Sequence, residues 1–279
     1  MAGRTIVITG ASDGIGAAAA QRLHRSGEQV VIVGRSPHKT QALADRLGVD
    51  CALVDYAELS SVRALARTLL ARYPRIDVLA NNAGGLASRH RTTVDGHELT
   101  FQLNVLAPFL LTRLLLDRLI ASRAAVLNTT SSANRLGREY ADPPRDGPYR
   151  AARAYADAKL AVVMLTRELH RRHHASGLTT AAFHPGLVAS NIATTAESPL
   201  LTTLYRTPLR SMVLTPEEGS DELVWLASAR PDVDWVSGEY YRRHRVGRAN
   251  RRAYDAGRCQ RLWERCTAQL AAEEEGASS

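Results

Sequence analysis

The stretch Thr5-Ile6-Val7-Ile8-Thr9-Gly10-Ala11-Ser12-Asp13-Gly14-Ile15-Gly16 decides the architecture. Its first five residues are all β-branched and uninterrupted, the pattern of a strand buried on both faces within a parallel sheet. Glycines then fall at 10, 14 and 16, where that strand turns into a segment of helical periodicity. Glycines so placed make a tight turn, let backbone N–H groups approach a pyrophosphate and let the helix lie close to the strand. The helix N-terminus then favours the negative charge. Any tight strand-to-helix turn can also use glycine, so the stretch has to be read with its surroundings.

Apolar runs at 4–9, 28–33, 50–54, 76–80, 124–130, 178–184 and, more weakly, 237–241 alternate with helical segments at 15–26, 38–47, 58–73, 97–121 and 153–175. That alternation specifies an α/β fold, a doubly wound parallel sheet of about seven strands flanked by helices with right-handed crossovers. With neither repeat nor linker, residues 1–279 read as a single domain. Segments 133–150 and 188–215 read as variable loops, and 242–279 as a basic C-terminal tail. Ligands of an open parallel sheet bind beyond the carboxyl ends of its strands, so the residues following each run are the informative ones.

Composition removes several classes. No apolar run approaches the roughly 18 residues that span a bilayer, and Met-Ala-Gly-Arg leads straight into the first strand. Neither a signal peptide nor a membrane anchor is therefore expected. The three cysteines, Cys51, Cys259 and Cys266, are odd in number and lack ligand spacing. They fit a reducing cytoplasm and no metal site. Of the net charge of +8, +7 lies in residues 242–265, where nine Arg meet Asp255 and Glu264. Such a run can bind nucleic acid, but it reads better as a solvated helix face, so no nucleic-acid partner is expected. Only two of the 36 basic residues are lysine, Lys39 and Lys159. In a chain that uses Arg almost everywhere, each Lys marks a place where a guanidinium would not serve.

After the second strand comes Val33-Gly34-Arg35-Ser36. A carboxylate here would select the 2′-hydroxyl of NAD(H); Arg35 with no acid beside it selects the 2′-phosphate of NADP(H). Asp55-Tyr56 follows the third strand, where Asp55 either accepts from an adenine amino group or starts the next helix. Asn81-Asn82-Ala83-Gly84 follows the fourth and can hold the sheet edge while leaving room for a ribose. Asn104 stands inside a long apolar helical segment, where its amide needs a partner. Ser131 and Ser132 follow the fifth strand. Tyr155 and Lys159 are four apart in a helical segment and project from one face. A phenol has a pKa of about 10, and an ammonium beside it favours the phenolate.

Taken in order, Thr9-Gly10-x-x-x-Gly14-x-Gly16, Asn81-Asn82-Ala83-Gly84, Asn104, Ser131, Tyr155-x-x-x-Lys159 and Pro185-Gly186 resemble the short-chain dehydrogenase/reductase family over essentially the whole chain. Thr93-Val94-Asp95-Gly96, His184-Pro185-Gly186 and Thr215-Pro216-Glu217-Glu218-Gly219 resemble its retinol-dehydrogenase-like branch. The resemblance implies a Rossmann fold in which Tyr155 is the general acid/base. Lys159 lowers its pKa and holds the nicotinamide ribose, Ser131 positions the carbonyl, and Asn104 holds a water that links Lys159 to solvent. It also implies a cofactor site built from Gly10, Ser12, Asp13, Gly14, Ile15, Gly16, Arg35, Asp55, Tyr56, Asn82, Ala83, Gly84, Tyr155, Lys159, Pro185, Gly186 and Val188. Choosing Ser131 over Ser132 rests on spacing from Asn128. Ala107-Pro108 and Thr129-Thr130 depart from the branch's usual residues.

The function so implied is NADP(H)-dependent hydride transfer to or from a carbonyl or alcohol carbon, as a ketone or aldehyde reductase acting on a small molecule. A C=C reductase of enones and a non-catalytic NADP(H)-binding protein are the alternatives. Leu86, Asn134, Tyr140, Tyr149, Leu187, Leu200, Leu204 and Met212 are candidate pocket walls. Pairing as a homodimer or homotetramer through the helix after Asn104 and the Tyr155 helix is a further implication of the resemblance.

Overall fold

A computed structural model describes residues 3–138, 148–186 and 214–276, the side chains of 273–276 excepted. Val188 and the pocket-wall candidates Tyr140, Leu187, Leu200, Leu204 and Met212 lie outside the described residues.

Among the described residues seven strands run parallel: β1 (Thr5–Thr9), β2 (Gln29–Gly34), β3 (Asp50–Leu53), β4 (Val78–Asn81), β5 (Ala125–Thr129), β6 (Thr179–Phe183) and β7 (Glu239–Arg242). β8 (Arg245–Val246) adds an antiparallel edge, and the sheet order is β3-β2-β1-β4-β5-β6-β7-β8. The chain reverses its direction of growth between β1 and β4, which opens a crevice at the carboxyl ends of these two central strands. Side chains alternate between two apolar layers. Val7, Val31, Leu79, Val126 and Ala182 face one; Ile6, Ile8, Ile32, Ala80, Leu127 and Phe183 face the other. Both faces are covered, and this explains why the strands read as continuous apolar runs rather than as alternating ones.

The helices are α1 (Gly14–Arg25), α2 (Pro37–Leu47), α3 (Leu59–Arg72), α4 (Leu99–Phe101), α5 (Ala107–Leu114), α6 (Leu116–Ala121), α7 (Ala151–His173), α8 (Pro216–Ser228) and α9 (Ala256–Gly276). The single helix expected over 97–121 is divided. Gln102–Leu106 winds as a π turn between α4 and α5, because Pro108 has no N–H to return to the carbonyl four residues back, that of Asn104. α8 and α9 were not among the expected helices. The stretch expected as a basic tail is instead β8, a short 3-10 turn and α9. Cys259, Leu262, Trp263, Cys266 and Leu270 of α9 enter the core beside α5 and α7. The turn into β8 holds Arg243 and His244 at φ 55° and 56°. That conformation, uncommon outside glycine, is fixed by the Glu222 carboxylate accepting the His244 N–H and by Trp225 stacked on the His244 ring at 4.8 Å.

Candidate active site

β1 delivers Gly10 into the crevice at φ +65°, and a Cβ there would lie 2.8 Å from the Ala83 Cα after β4. Only glycine lets these two loops approach so closely. Thr9 seals the junction: its hydroxyl accepts the Asn82 and Ala83 N–H groups, both at 3.1 Å. Asn82 Nδ2 donates to the Thr9 carbonyl at 3.0 Å and Asn82 Oδ1 accepts from Thr129 at 3.3 Å. Asp13 caps α1 by accepting the Gly14 N–H at 2.8 Å. Gly14, Ile15 and Gly16 form the first turn of α1, so its N–H groups open toward the crevice.

Ser12 packs on Gly34 at the end of β2. Arg35 stands exposed beside it, and Ser36 caps α2. Lys39 Nζ pairs with Asp13 Oδ2 at 2.6 Å, joining the first turn of α2 to the glycine loop. The second lysine of the chain thus sits at the mouth of the crevice, a placement that its scarcity alone does not specify. Asp55 accepts the Ala57 N–H at 2.9 Å, closing the turn that starts α3. Tyr56 is buried in the apolar layer, and its carbonyl accepts from Gln102 at 3.1 Å. The structure therefore gives Asp55 a local capping role and buries the Tyr56 ring in the core.

α7 brings the other residues in. Tyr155 is hydrogen-bonded to Ser131, whereas Ser132 is exposed. The Lys159 ammonium lies 5.5 Å from the Tyr155 ring centroid and donates to the Thr129 carbonyl at 3.1 Å. The Thr130 hydroxyl donates to the Lys159 carbonyl at 2.7 Å, tying this turn of α7 to the end of β5. Thr129 and Thr130, noted in the sequence only as departures, thus locate the lysine. Burial pushes the Tyr155 phenol up to about 12, partly opposed by the Ser131 hydrogen bond. Burial also holds Lys159 down, to about 8. Desolvation is thus the largest influence on the Tyr155 phenol among the described residues.

Asn104 reaches the same place from the π turn. Its Nδ2 donates to the carbonyls of Gly85 at 2.6 Å and Thr100 at 2.7 Å, while its buried Oδ1 has no hydrogen-bond partner among the described residues. A Cβ on Gly84 would meet that Oδ1 at 2.6 Å and Lys159 Nζ at 3.3 Å. The orphaned acceptor and the glycine cradle leave a polar space beside Lys159 that a water or ribose hydroxyl would satisfy. Pro185 and Gly186 follow β6, Gly186 at φ +91° with Leu214 against it.

These features recur in known proteins. The family model described as short chain dehydrogenase matches residues 4–200. The chain belongs to this family. It is 38% identical to a Streptomyces sp. (strain C5) protein named as the daunorubicin C-13 ketoreductase DnrU, over 94% of this chain and 91% of that one. It is 34% identical to mouse (Mus musculus) retinol dehydrogenase 14, over 95% and 85% of the two chains. Among solved structures, an uncharacterized protein from Mycobacterium paratuberculosis superposes with a TM-score of 0.75 at 31% identity, covering 95% of this chain and 93% of the other. The Pseudomonas aeruginosa RhlG/NADP active-site complex gives 0.68 at 27% identity, covering 86% and 94%. The short-chain dehydrogenase is thus an oxidoreductase of the retinol-dehydrogenase-like branch, acting on a carbonyl or alcohol. No described helix is long and apolar enough to cross a membrane.

Proposed function

We propose that this short-chain dehydrogenase reduces the carbonyl group of a small ketone or aldehyde with NADPH. One observation carries the reading: Tyr155 is hydrogen-bonded to Ser131 and stands beside the buried Lys159 ammonium. A phenol so held is a proton donor. As negative charge develops on the carbonyl oxygen, the Ser131 hydroxyl positions that oxygen and Tyr155 gives it the proton. Lys159 then stabilises the tyrosinate left behind, and the polar space at Asn104 supplies a route for reprotonation. NADPH, when bound, supplies the hydride. The glycine turn, the N-terminus of α1, Asn82, Ala83, Gly84 and the Pro185-Gly186 turn would hold it, while Val188 belongs to the same proposal by sequence alone.

Arg35 supports NADP(H) over NAD(H), since a guanidinium at the end of β2 complements a 2′-phosphate. The NADP complex of the P. aeruginosa neighbour and the ketoreductase name of the Streptomyces relative are consistent with this reading. Tyr155→Phe tests the mechanism. Turnover of a carbonyl panel with NADPH should be nearly abolished while NADPH still binds, and full turnover in the variant would end the mechanism. Arg35→Asp should reverse the preference toward NADH; an unchanged ratio of kcat/KM for the two cofactors would remove Arg35 from the site. Product analysis on an enone separates this reading, which gives the allylic alcohol, from C=C reduction, which gives the saturated ketone.

A further inference from the structure

The hydroxyl of Tyr149 joins three segments that carry different parts of the site. It stands two residues ahead of α7 and contacts Glu98 Oε1 at 3.0 Å, Thr100 Oγ1 at 3.1 Å and the Ala87 carbonyl at 3.3 Å. Glu98 is 2% exposed. It caps α4, accepting the Thr100 N–H on Oε1 and the Phe101 N–H on Oε2, each at 2.8 Å. Thr100 accepts the Ala87 N–H on its hydroxyl at 3.1 Å, and its carbonyl takes one of the two Nδ2 bonds of Asn104. The other goes to Gly85, two residues before Ala87.

Bond directions follow from chemistry. A carboxylate only accepts, so Tyr149 donates to Glu98, Thr100 donates to Tyr149, and Ala87 donates to Thr100. Both Nδ2 hydrogens of Asn104 are used within segment 85–100, which aims Oδ1 at the space beside Gly84 and Lys159. Lys159 belongs to α7, and Tyr149 leads directly into α7. The Tyr149 hydroxyl thus ties the helix that carries Lys159 to the segment that orients Asn104. A buried carboxylate with this many bonds is a costly way to staple two segments, for which apolar contact would serve. What a polar array adds is direction.

We infer that Tyr149, acting through Glu98 and Thr100, is a positioning residue that sets the Asn104 amide relative to Lys159. The inference rests on the carbonyl-reductase reading above, but its test does not depend on turnover alone. Tyr149→Phe keeps the ring that packs edge-on to His90 at 5.5 Å and removes the hydroxyl. The Asn104 side-chain amide NMR signals, identified by their loss in Asn104→Ala, should shift in Tyr149→Phe. They should stay in place in the control Tyr254→Phe, whose hydroxyl meets the Ala249 N–H instead. In turnover, Tyr149→Phe should lower kcat about tenfold, the scale of one well-made hydrogen bond, with NADPH affinity unchanged. In an Asn104→Ala background the same substitution should leave kcat unaltered. Unmoved amide signals would overturn the inference whether or not the protein reduces carbonyls. So would an equal loss of kcat in both backgrounds. A wild-type protein inactive on every carbonyl substrate would instead count against the function, leaving the NMR result to decide the role of Tyr149.

Discussion

Burial holds the Lys159 ammonium down to about 8, and the partner it has, the Thr129 carbonyl, is neutral. An unfolded chain would titrate that lysine near its ordinary value of about 10.4. Between those two pH values the unfolded state binds more protons than the folded one, so the destabilisation is full below about 8 and fades as pH rises toward 10.4. Lys159→Met should therefore raise Tm at pH 6.5, with a smaller gain at pH 9.5, while eliminating turnover. Equal gains at both pH values would show that packing, not charge burial, is responsible. A reductase that needs the ammonium should also lose kcat/KM as pH rises through about 8, since Tyr155 keeps its proton until about 12. The scarcity of lysine makes this residue legible in the sequence, as the Tyr-x-x-x-Lys spacing does Tyr155. Thr129, Thr130, Glu98 and Tyr149 are not legible there as positioning groups. The pairings that give them that role, Thr130 with Lys159 and Glu98 with Tyr149, join residues 29 and 51 apart in sequence, and no local pattern encodes such pairings.

At the scale of elements, the parallel strands were readable because burial on both faces forces continuous apolar runs. The helices were readable only where they alternate with those strands. α8 escaped that reading although its start carries a strong local signal. Thr215 accepts the Glu218 N–H, Glu218 accepts the Thr215 N–H at 2.8 Å, and Pro216 opens the helix. This reciprocal cap follows from the Thr-x-x-Glu spacing alone. Its partner is α1, where Arg22 donates to Ser220 at 3.0 Å and pairs with Asp221. α8 thus covers the sheet face that carries the glycine loop, without touching the chemistry. Thr215→Ala should cost about 1 kcal/mol, a fall in Tm of roughly 2–4 °C for a domain of this size, with kcat/KM unchanged. A loss of activity without a loss of Tm would mean that the cap acts on the neighbouring Leu214–Gly186 contact instead. The division of the expected 97–121 helix is the converse case. Its apolar periodicity was right, but the effect of Pro108 on the turn carrying Asn104 depends on how the helix accommodates a missing donor.

For the whole molecule, the resemblance implied pairing through the apolar faces of α5 and α7, yet α9 lies on them. Trp263 packs edge-on against Phe109 with ring centroids 4.7 Å apart, and the Arg172 guanidinium lies over its outer face at 4.9 Å. The stripe Cys259, Leu262, Trp263, Cys266 and Leu270 recurs at helical spacing within the most Arg-rich part of the chain. Three of the nine Arg of residues 242–265, Arg258, Arg261 and Arg265, thus lie on an amphipathic helix whose apolar stripe completes the core, and the other six precede it from the end of β7 onward. A cavity of about 40 Å³ is lined by Trp263 together with Phe109, Leu165 and Leu169. Trp263→Ala should therefore cost about 3 kcal/mol, the lower end for a buried tryptophan, because the site is not fully packed to begin with. Ending the chain at Asp255 removes the whole stripe and bares α5 and α7, and a contiguous apolar face of that kind drives association. Sedimentation of the two forms distinguishes the outcomes. The full-length protein should not pair through this face, whereas the shortened one should self-associate or precipitate. A shortened protein that stays monomeric with unchanged Tm would show that α9 is dispensable to the core.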